Sequence, residues 1–328
     1  MFVVGFLGCA VLIFFAGRKL SVYGDQLAET TGISKGWIGI ILMASVTSLP
    51  ELMVGISSVA LVASADLAVG DIIGSCAFNL GILAILDALA PRRKSLFGIA
   101  SQTHILNAGL GIILISMVGL ALYIPHDIAL TPWIAGSSVL FILVYLLSVR
   151  FIYQNEKNHF PEQRAENKPA GPLWKIIAPF IGYASVIIAS ALALPHFAEQ
   201  IALAFGLKES FVGTFFLAVS TSMPEVAVSI AAVRMGSIDM AVGNLLGSNI
   251  FNVLILGIDD LFYKKGLLLK HASPVHLISV LSTILMSAVV VIGLSYHAKG
   301  KRFFVAGDAV LIFLIYLINL ILIYQFKS

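Results

Sequence analysis

The sequence predicts an all-α polytopic membrane protein, with ten transmembrane helices in two inverted five-helix repeats. Three observations predict it. Of 328 residues, 59% are hydrophobic and 11% charged, against roughly 25% charged in a soluble domain, and the mean hydropathy is +1.00. Apolar stretches of about 20 residues, the length that crosses a bilayer, recur along the chain. One half of the chain also repeats the other. The lipid bilayer is therefore the first expected partner, and a net charge of +3 argues against nucleic acid as another.

The first span is 2–17. No basic segment precedes it, so a cleaved signal peptide is not expected. Residues 19–33 are mixed in polarity and read as interfacial or as an extension of that helix. The second span, 36–62, is apolar except for "SVTSLPELMVG", which places a proline and a glutamate inside it. Spans three to five are 67–90, 101–124 and 131–152. The polar stretch "QNEKNHFPEQRAENKPAGP", 154–172, carries three prolines and reads as a linker between a first repeat, 1–153, and a second, 173–328. The sixth span is 173–194, followed by the mixed stretch 195–208. Spans 210–234, 239–262, 272–296 and 303–326 complete the ten. The two cysteines, Cys9 and Cys76, lie in apolar stretches and read as packing residues.

Loop charge orients the chain. The odd-numbered connections hold fifteen of the twenty Lys and Arg residues and the other side holds five. This places the central linker in the cytoplasm and both termini outside.

The repeat is explicit. Thr47, Ser48, Pro50 and Glu51 recur as Thr221, Ser222, Pro224 and Glu225, an offset of 174. With one gap, Asp66, Gly70, Gly74, Ser75, Asn79 and Asp87 recur as Asp239, Gly243, Gly247, Ser248, Asn252 and Asp260, an offset of 173. The offset covers five spans, and an odd number of crossings inverts the second copy. Inverted repeats typify secondary transporters, with the ion site near the midplane where the repeats meet.

The chemistry of the repeated segment is specific. Pro50 cannot donate to the carbonyl of Val46, nor Pro224 to that of Ser220. In lipid such carbonyls survive only where they are buried in protein or line a cavity. Helical spacing sets Thr47 and Ser48 beside Glu51, and Thr221 and Ser222 beside Glu225. Each break thus offers a carboxylate, two hydroxyls and backbone oxygens, the hard donors that suit Ca²⁺, Mg²⁺ and, by the same logic, Na⁺. Soft and imidazole ligands are missing, which argues against zinc or copper. In the next span Asp71, Ser75 and Asn79 are spaced by four, as are Asn244, Ser248 and Asn252, and each set forms a polar stripe on an apolar helix. The neighbouring glycines allow close helix approach.

Each feature has a plainer reading. TSxPE alone is an N-cap with proline in the first turn, and a stripe of small residues alone is helix packing. An intramembrane glutamate can simply pair with a lysine. However, neither broken segment holds a Lys or Arg near its glutamate, and Arg234 lies too far along to neutralise Glu225. Carrying a costly intramembrane acid twice at matching positions favours function. Asp87 and Asp260, beside Arg92–Lys94 and Lys264–Lys265, read as interfacial pairs. Asp71 reads equally as an ion-handling residue or as a cap at the start of its helix. The seven histidines lie in loops or near span ends, and none receives a role.

"TSLPE" and "TSMPE", each followed by "G(D/N)xxGSxxxN", resemble the alpha repeats of the cation/Ca²⁺ exchanger superfamily, and most closely its prokaryotic sodium/calcium exchanger branch. The resemblance covers both repeats. It implies that spans 36–62, 67–90, 210–234 and 239–262 enclose the ions while the first and sixth spans slide past them. It implies Glu51 and Glu225 as leading ligands, joined by Thr47, Ser48, Thr221, Ser222, Ser75 and Ser248 and by backbone oxygen from Ala44 and Ala218. The chain departs from the family where Val46 and Ser220 replace a glycine. It departs again at Asn79 and Asn252, amides where several members carry aspartate, and at Asp71, where asparagine is common. Two certain carboxylates match one Ca²⁺, and Asp71 is a displaced third.

The expected function is a secondary antiporter exchanging Ca²⁺ for Na⁺ by alternating access. H⁺ is the alternative driver, and a cation channel the next alternative. An intramembrane enzyme would need a nucleophile, a metal triad or a cofactor motif, and none is present, so neither enzymatic activity nor a cofactor is expected. The transported ions would be Ca²⁺ and Na⁺, or H⁺. The expected setting is a prokaryotic plasma membrane, with the chain working as a monomer.

Overall fold

The computed structural model describes residues 2–31, 43–90, 95–124, 128–159, 173–234, 236–296 and 305–326. Helices dominate them, as the composition predicts. The first half holds α1 (Phe2–Thr31), α2 (Ala44–Thr47), α3 (Leu49–Ser57) and α4 (Ala65–Leu89). The short α5 (Leu96–Ile99), then α6 (Thr103–Tyr123) and α7 (Gly136–His159), complete it. The second half holds α8 (Trp174–Phe205), α9 (Glu209–Phe211), α10 (Ala218–Thr221), α11 (Met223–Arg234), α12 (Ile238–Phe262), the short α13 (Leu268–His271), α14 (His276–Tyr296) and α15 (Gly307–Gln325). Among the described residues a small antiparallel hairpin, β1 (Ala129–Thr131) with β2 (Ile134–Ala135), departs from the helical pattern.

Among the described residues, eight helices are long and apolar enough to cross a membrane, and α9 to α11 add a ninth if counted as one bent span. The segment expected to form the second span begins outside the described residues, and its described part, 43–62, contains the shorter apolar stretch Leu49–Val62. The mixed stretches 19–33 and 195–208 extend the preceding helices, within the described residues, rather than lying apart. In α8 the helix runs through Pro179 and Pro195 and stops at Gly206, whose φ of +61° suits glycine. Pro195 is buried, where neighbouring helices support the interrupted ladder. Helix α7 continues to His159, so the first six residues of the expected linker are helical. Residues 160–172 lie outside the described residues, as do the loop cations Lys35, Arg92, Arg93 and Lys94.

Burial sorts the helices. Helices α4 and α12 are 78% and 83% buried, whereas α1 and α8 are 22% and 17% buried along their apolar windows. The outer pair turns apolar side chains such as Leu7, Phe15, Ile181 and Leu203 outward, as lipid-facing helices do. Helices α1 and α8 pack along each other and against α11 and α3. Gly17 of α1 lies on the kink of the second motif, where an added Cβ would stand 2.6 Å from the Cβ of Pro224. Inside, α4 runs against Val212–Leu217, a wider π-helical turn between α9 and α10. A Cβ on Gly74 would stand 2.7 Å from the Cα of Thr214, and one on Gly70 would stand 3.1 Å from the Cα of Gly213. The glycines of the stripe therefore let α4 touch the neighbouring backbone.

Candidate cation site

Both motifs break their helix at the same place. Ser48 (φ −86°, ψ 11°) separates α2 from α3, and Ser222 (φ −80°, ψ 10°) separates α10 from α11. The helical ladder resumes on either side, with Ser48 N on Ala44 O at 3.0 Å and Ser222 N on Ala218 O at 3.1 Å. Pro50 and Pro224 fall in the first turn of the resumed helix, where a missing N–H costs least. The second pair is bent by 44°.

The breaks face each other, and their hydroxyls cross over. Ser48 Oγ donates to Glu225 Oε1 at 3.1 Å, and Ser222 Oγ donates to Glu51 Oε1 at 2.9 Å. Helical spacing had set each serine beside the glutamate of its own motif. The turn at Ser48 and Ser222 instead gives each serine to the other motif's glutamate. The polar stripes dock on the same breaks, α4 on the second motif and α12 on both. Thr221 Oγ1 donates to Asp71 Oδ1 at 3.0 Å and lies 3.4 Å from Ser75 Oγ. Thr47 Oγ1 lies 3.3 Å from Asn244 Oδ1, and Ser248 Oγ donates to Glu225 Oε1 at 3.2 Å. The carbonyls of Ala44 and Ala218 also accept from Thr47 and Thr221, each at 3.3 Å. Eleven of the residues expected to bind ions thus meet in one network.

Asn79 and Asn252 sit in a network beside it. Asn79 Nδ2 donates to Asn249 Oδ1 at 3.0 Å, Asn249 Nδ2 to the Cys76 carbonyl at 3.1 Å, and Asn252 Nδ2 to Cys76 Sγ at 3.7 Å. Asn249 is a site neighbour that sequence reading missed. It is the repeat counterpart of Cys76 and lies one residue off the stripe spaced by four. That mismatch hid it.

Glu51, Glu225, Asp71, Asn79 and Asn252 are all fully buried. Each keeps one oxygen that accepts no hydrogen bond: Oε2 of both glutamates, Oδ2 of Asp71 and Oδ1 of both asparagines. Buried acceptors without donors are costly, and a hard cation satisfies them. Among the described residues, no group of three His, Cys, Asp or Glu side chains has metal-binding geometry. A cation here would rest on hydroxyl, amide and carbonyl oxygens as much as on carboxylates, the donor set of alkali and alkaline-earth ions.

Three expectations are corrected. Asp71 does not cap its helix, because α4 begins at Ala65 and Ser64 accepts from Leu67 N. In place of the expected pair with Lys264–Lys265, Asp260 accepts the backbone N–H groups of Ala135 and Leu268, each at 2.8 Å. Asp87 accepts those of Leu96 at 2.6 Å and Ala306 at 2.8 Å, while the cations expected beside it, Arg92–Lys94, lie outside the described residues. These two acids fasten loops and hairpin to the ends of the core helices. Two of the histidines, left without a role, form a repeat-related pair of clamps. His104 Nε2 meets Asp239 Oδ1 at 3.2 Å and His276 Nε2 meets Asp66 Oδ1 at 3.0 Å, while Ser101 N and Ser273 N donate to the same two oxygens. Each clamp ties the start of a core helix to α14 or α6.

The family model described as sodium/calcium exchanger protein matches residues 1–154 and 175–325. Inner membrane protein YrbG of Escherichia coli is 32% identical over 265 residues, 78% of this chain and 77% of that one. Sodium/calcium exchanger MaX1 of Methanosarcina acetivorans is 48% identical over 59 residues, 18% of this chain and 17% of that one. A solved structure of the sodium-calcium exchanger NCX_Mj, 21% identical, aligns over 98% of this chain and 99% of that one with a TM-score of 0.68, which shows a shared fold. The chain is an integral membrane protein of the sodium/calcium exchanger family, in the prokaryotic branch of the cation/Ca²⁺ exchanger superfamily.

Proposed function

We propose that this protein is a secondary antiporter that exchanges Ca²⁺ for Na⁺ by alternating access, with H⁺ as the alternative driving ion. The observation that carries this reading is the crossed pair of buried glutamates, each held by a serine of the other motif and each keeping one unclaimed oxygen. Two carboxylates neutralise one Ca²⁺ or two monovalent cations, so the two cargoes compete for the same charge. Thr47, Ser48, Thr221, Ser222, Ser75 and Ser248 contribute hydroxyl oxygen, Ala44 and Ala218 carbonyl oxygen, and Asn79, Asn252 and Asp71 the adjoining polar wall. A hydroxyl that donates to a carboxylate when no ion is bound turns its lone pair to the ion on binding. Ions can then exchange without leaving a bare charge in lipid.

The same reading places ten spans in two inverted repeats of 1–153 and 173–328. The buried motif helices and α4 and α12 form the stationary core, and α1 and α8 slide over it. Gly17 on Pro224 is the type of smooth contact such sliding needs. The central linker is cytoplasmic, both termini are outside, and the monomer suffices because each site oxygen comes from one chain.

Labelled Ca²⁺ uptake into proteoliposomes under separate Na⁺ and H⁺ gradients tests the reading. Uptake should require a trans Na⁺ gradient. Uptake driven by H⁺ alone would reassign the driving ion, and uptake with no counter-ion would mark a channel. Orientation is checked with single cysteines at Asn158 and Ser328 in a chain lacking Cys9 and Cys76. An impermeant thiol reagent on intact cells should label the second and spare the first.

A further inference from the structure

Asp259, near the end of α12, belongs to no network described above. It is fully buried, and both of its carboxylate oxygens lack a hydrogen-bond donor. It packs on Gly55 of α3, where an added Cβ would stand 2.5 Å from Asp259 Oδ1. Gly55 lies one helical turn beyond Glu51, about 6 Å along the axis. Ser58 follows on the same face of that helix, buried, with its hydroxyl also unclaimed. Among the described residues, the charged groups that act on Asp259 are Asp71 and Asp260, both acidic, and no ion pair reaches it. The Lys265 ammonium nearby is turned to the carbonyl of Ala63.

The fold does not need an acid at this place. In the first repeat the corresponding residue is Leu86, equally buried, and the counterparts of Gly55 and Ser58 are Ser229 and Ala232. One half of the molecule thus fills the position with an aliphatic side chain. The other fills it with an unpartnered carboxyl, at a cost of a few kcal/mol in a membrane interior. No donor reaches either oxygen and the charges acting on it are negative, so what it lacks is a single positive charge.

We propose that Asp259 is a further monovalent-cation position, holding Na⁺ or a proton, one turn past Glu51 toward the face carrying the 63–64 and 263–267 loops. It is a waypoint between the central site and that face. It rests on reading the chain as a membrane protein that moves cations, but not on obligatory exchange or on Glu51 and Glu225 being ligands.

The test separates the two. In protein carrying Glu51→Gln and Glu225→Gln, infrared difference spectra are recorded on adding Na⁺ and on changing pH. A carboxyl band should respond and should vanish in Asp259→Asn. A response to Na⁺ at fixed pH names sodium, and a response to pH alone names the proton. Gly55→Ala, which crowds the carboxylate without removing it, should shift the same band and serves if Asp259→Asn does not fold. In the otherwise native chain, Asp259→Asn should lower the slope of exchange rate against the driving ion by about one ion while Ca²⁺ affinity stays within about threefold. Spectra that are identical with and without Asp259→Asn, or with and without Gly55→Ala, overturn the proposal. A responsive Asp259 band in a chain that shows no Ca²⁺ exchange would instead sink the antiport reading and leave this one standing.

Discussion

The two halves of the site share a backbone and differ in their hydrogen bonds. Glu225 takes hydroxyls from Ser48 and Ser248, whereas Glu51 takes one, from Ser222. Ser75, the counterpart of Ser248, lies instead with Thr221 and the Ala218 carbonyl. One sequence difference beside it changes a charge. Asp71 stands where the second repeat has Asn244, and Thr221 donates to that carboxylate, whereas Thr47 lies against the Asn244 amide oxygen and the Ala44 carbonyl. A duplicated motif therefore builds two equal backbone breaks but two unequal carboxylates. The inequality is accompanied by a charge on the neighbouring helix, Asp71, which takes the Thr221 hydroxyl.

The strongest way to break this comparison is to remove each carboxylate in turn. Glu51→Gln and Glu225→Gln should each reduce Ca²⁺ exchange to background in protein that still folds. Near-normal flux in either well-expressed variant would dismiss that residue from the site.

The hydroxyls sharpen it. Ser222→Ala strips Glu51 of its single hydroxyl donor, while Ser48→Ala leaves Glu225 with Ser248. A hydrogen bond to a charged group contributes about 1.5–3 kcal/mol, so Ser222→Ala should weaken Ca²⁺ exchange about tenfold or more, and Ser48→Ala distinctly less. Equal losses would mean that both glutamates are supported alike once an ion is bound.

Asp71 comes next. Asp71→Asn makes α4 match α12 and should change ion affinity or coupling severalfold, with thermal stability nearly unchanged because the helix does not depend on it as a cap. Unaltered Na⁺ and Ca²⁺ dependence would make the charge incidental. The reverse change, Asn244→Asp, should draw Thr47 toward the new carboxylate and even out the two halves.

The smallest effect on transport is expected at the fasteners. Asp260→Ala removes an acceptor from two buried N–H groups and should cost about 2–4 kcal/mol of stability, read as a lower unfolding temperature. Ca²⁺ affinity of the folded fraction should stay unchanged. A selective loss of affinity would tie the loop staples to the site.

Much of this was legible in the residues. The helical class follows from hydropathy, because a bilayer admits little else. Pro50 and Pro224 announce the breaks, since a proline cannot donate. Glu51 and Glu225 are legible because an unpaired acid in an apolar segment is costly and this one appears twice. What stayed hidden depended on partners distant in sequence. His104 and Asp239 are 135 residues apart, and nothing local in either announces the other. Of the two readings left open for Asp71, the cap fails because Ser64 and Ala65 start the helix six to seven residues before it.

By itself the sequence determined the membrane setting, the duplicated pair of proline-broken segments and the oxygen donors they carry. These follow from local chemistry: lipid forbids unpaired backbone, and proline and glutamate act wherever they stand. Only the tertiary structure decided which oxygen meets which. Ser48 serves Glu225 and Ser222 serves Glu51 because the two breaks face each other across α4 and α12. Hydrogen-bond pairing is set by distance in space, which spacing along a single helix does not carry.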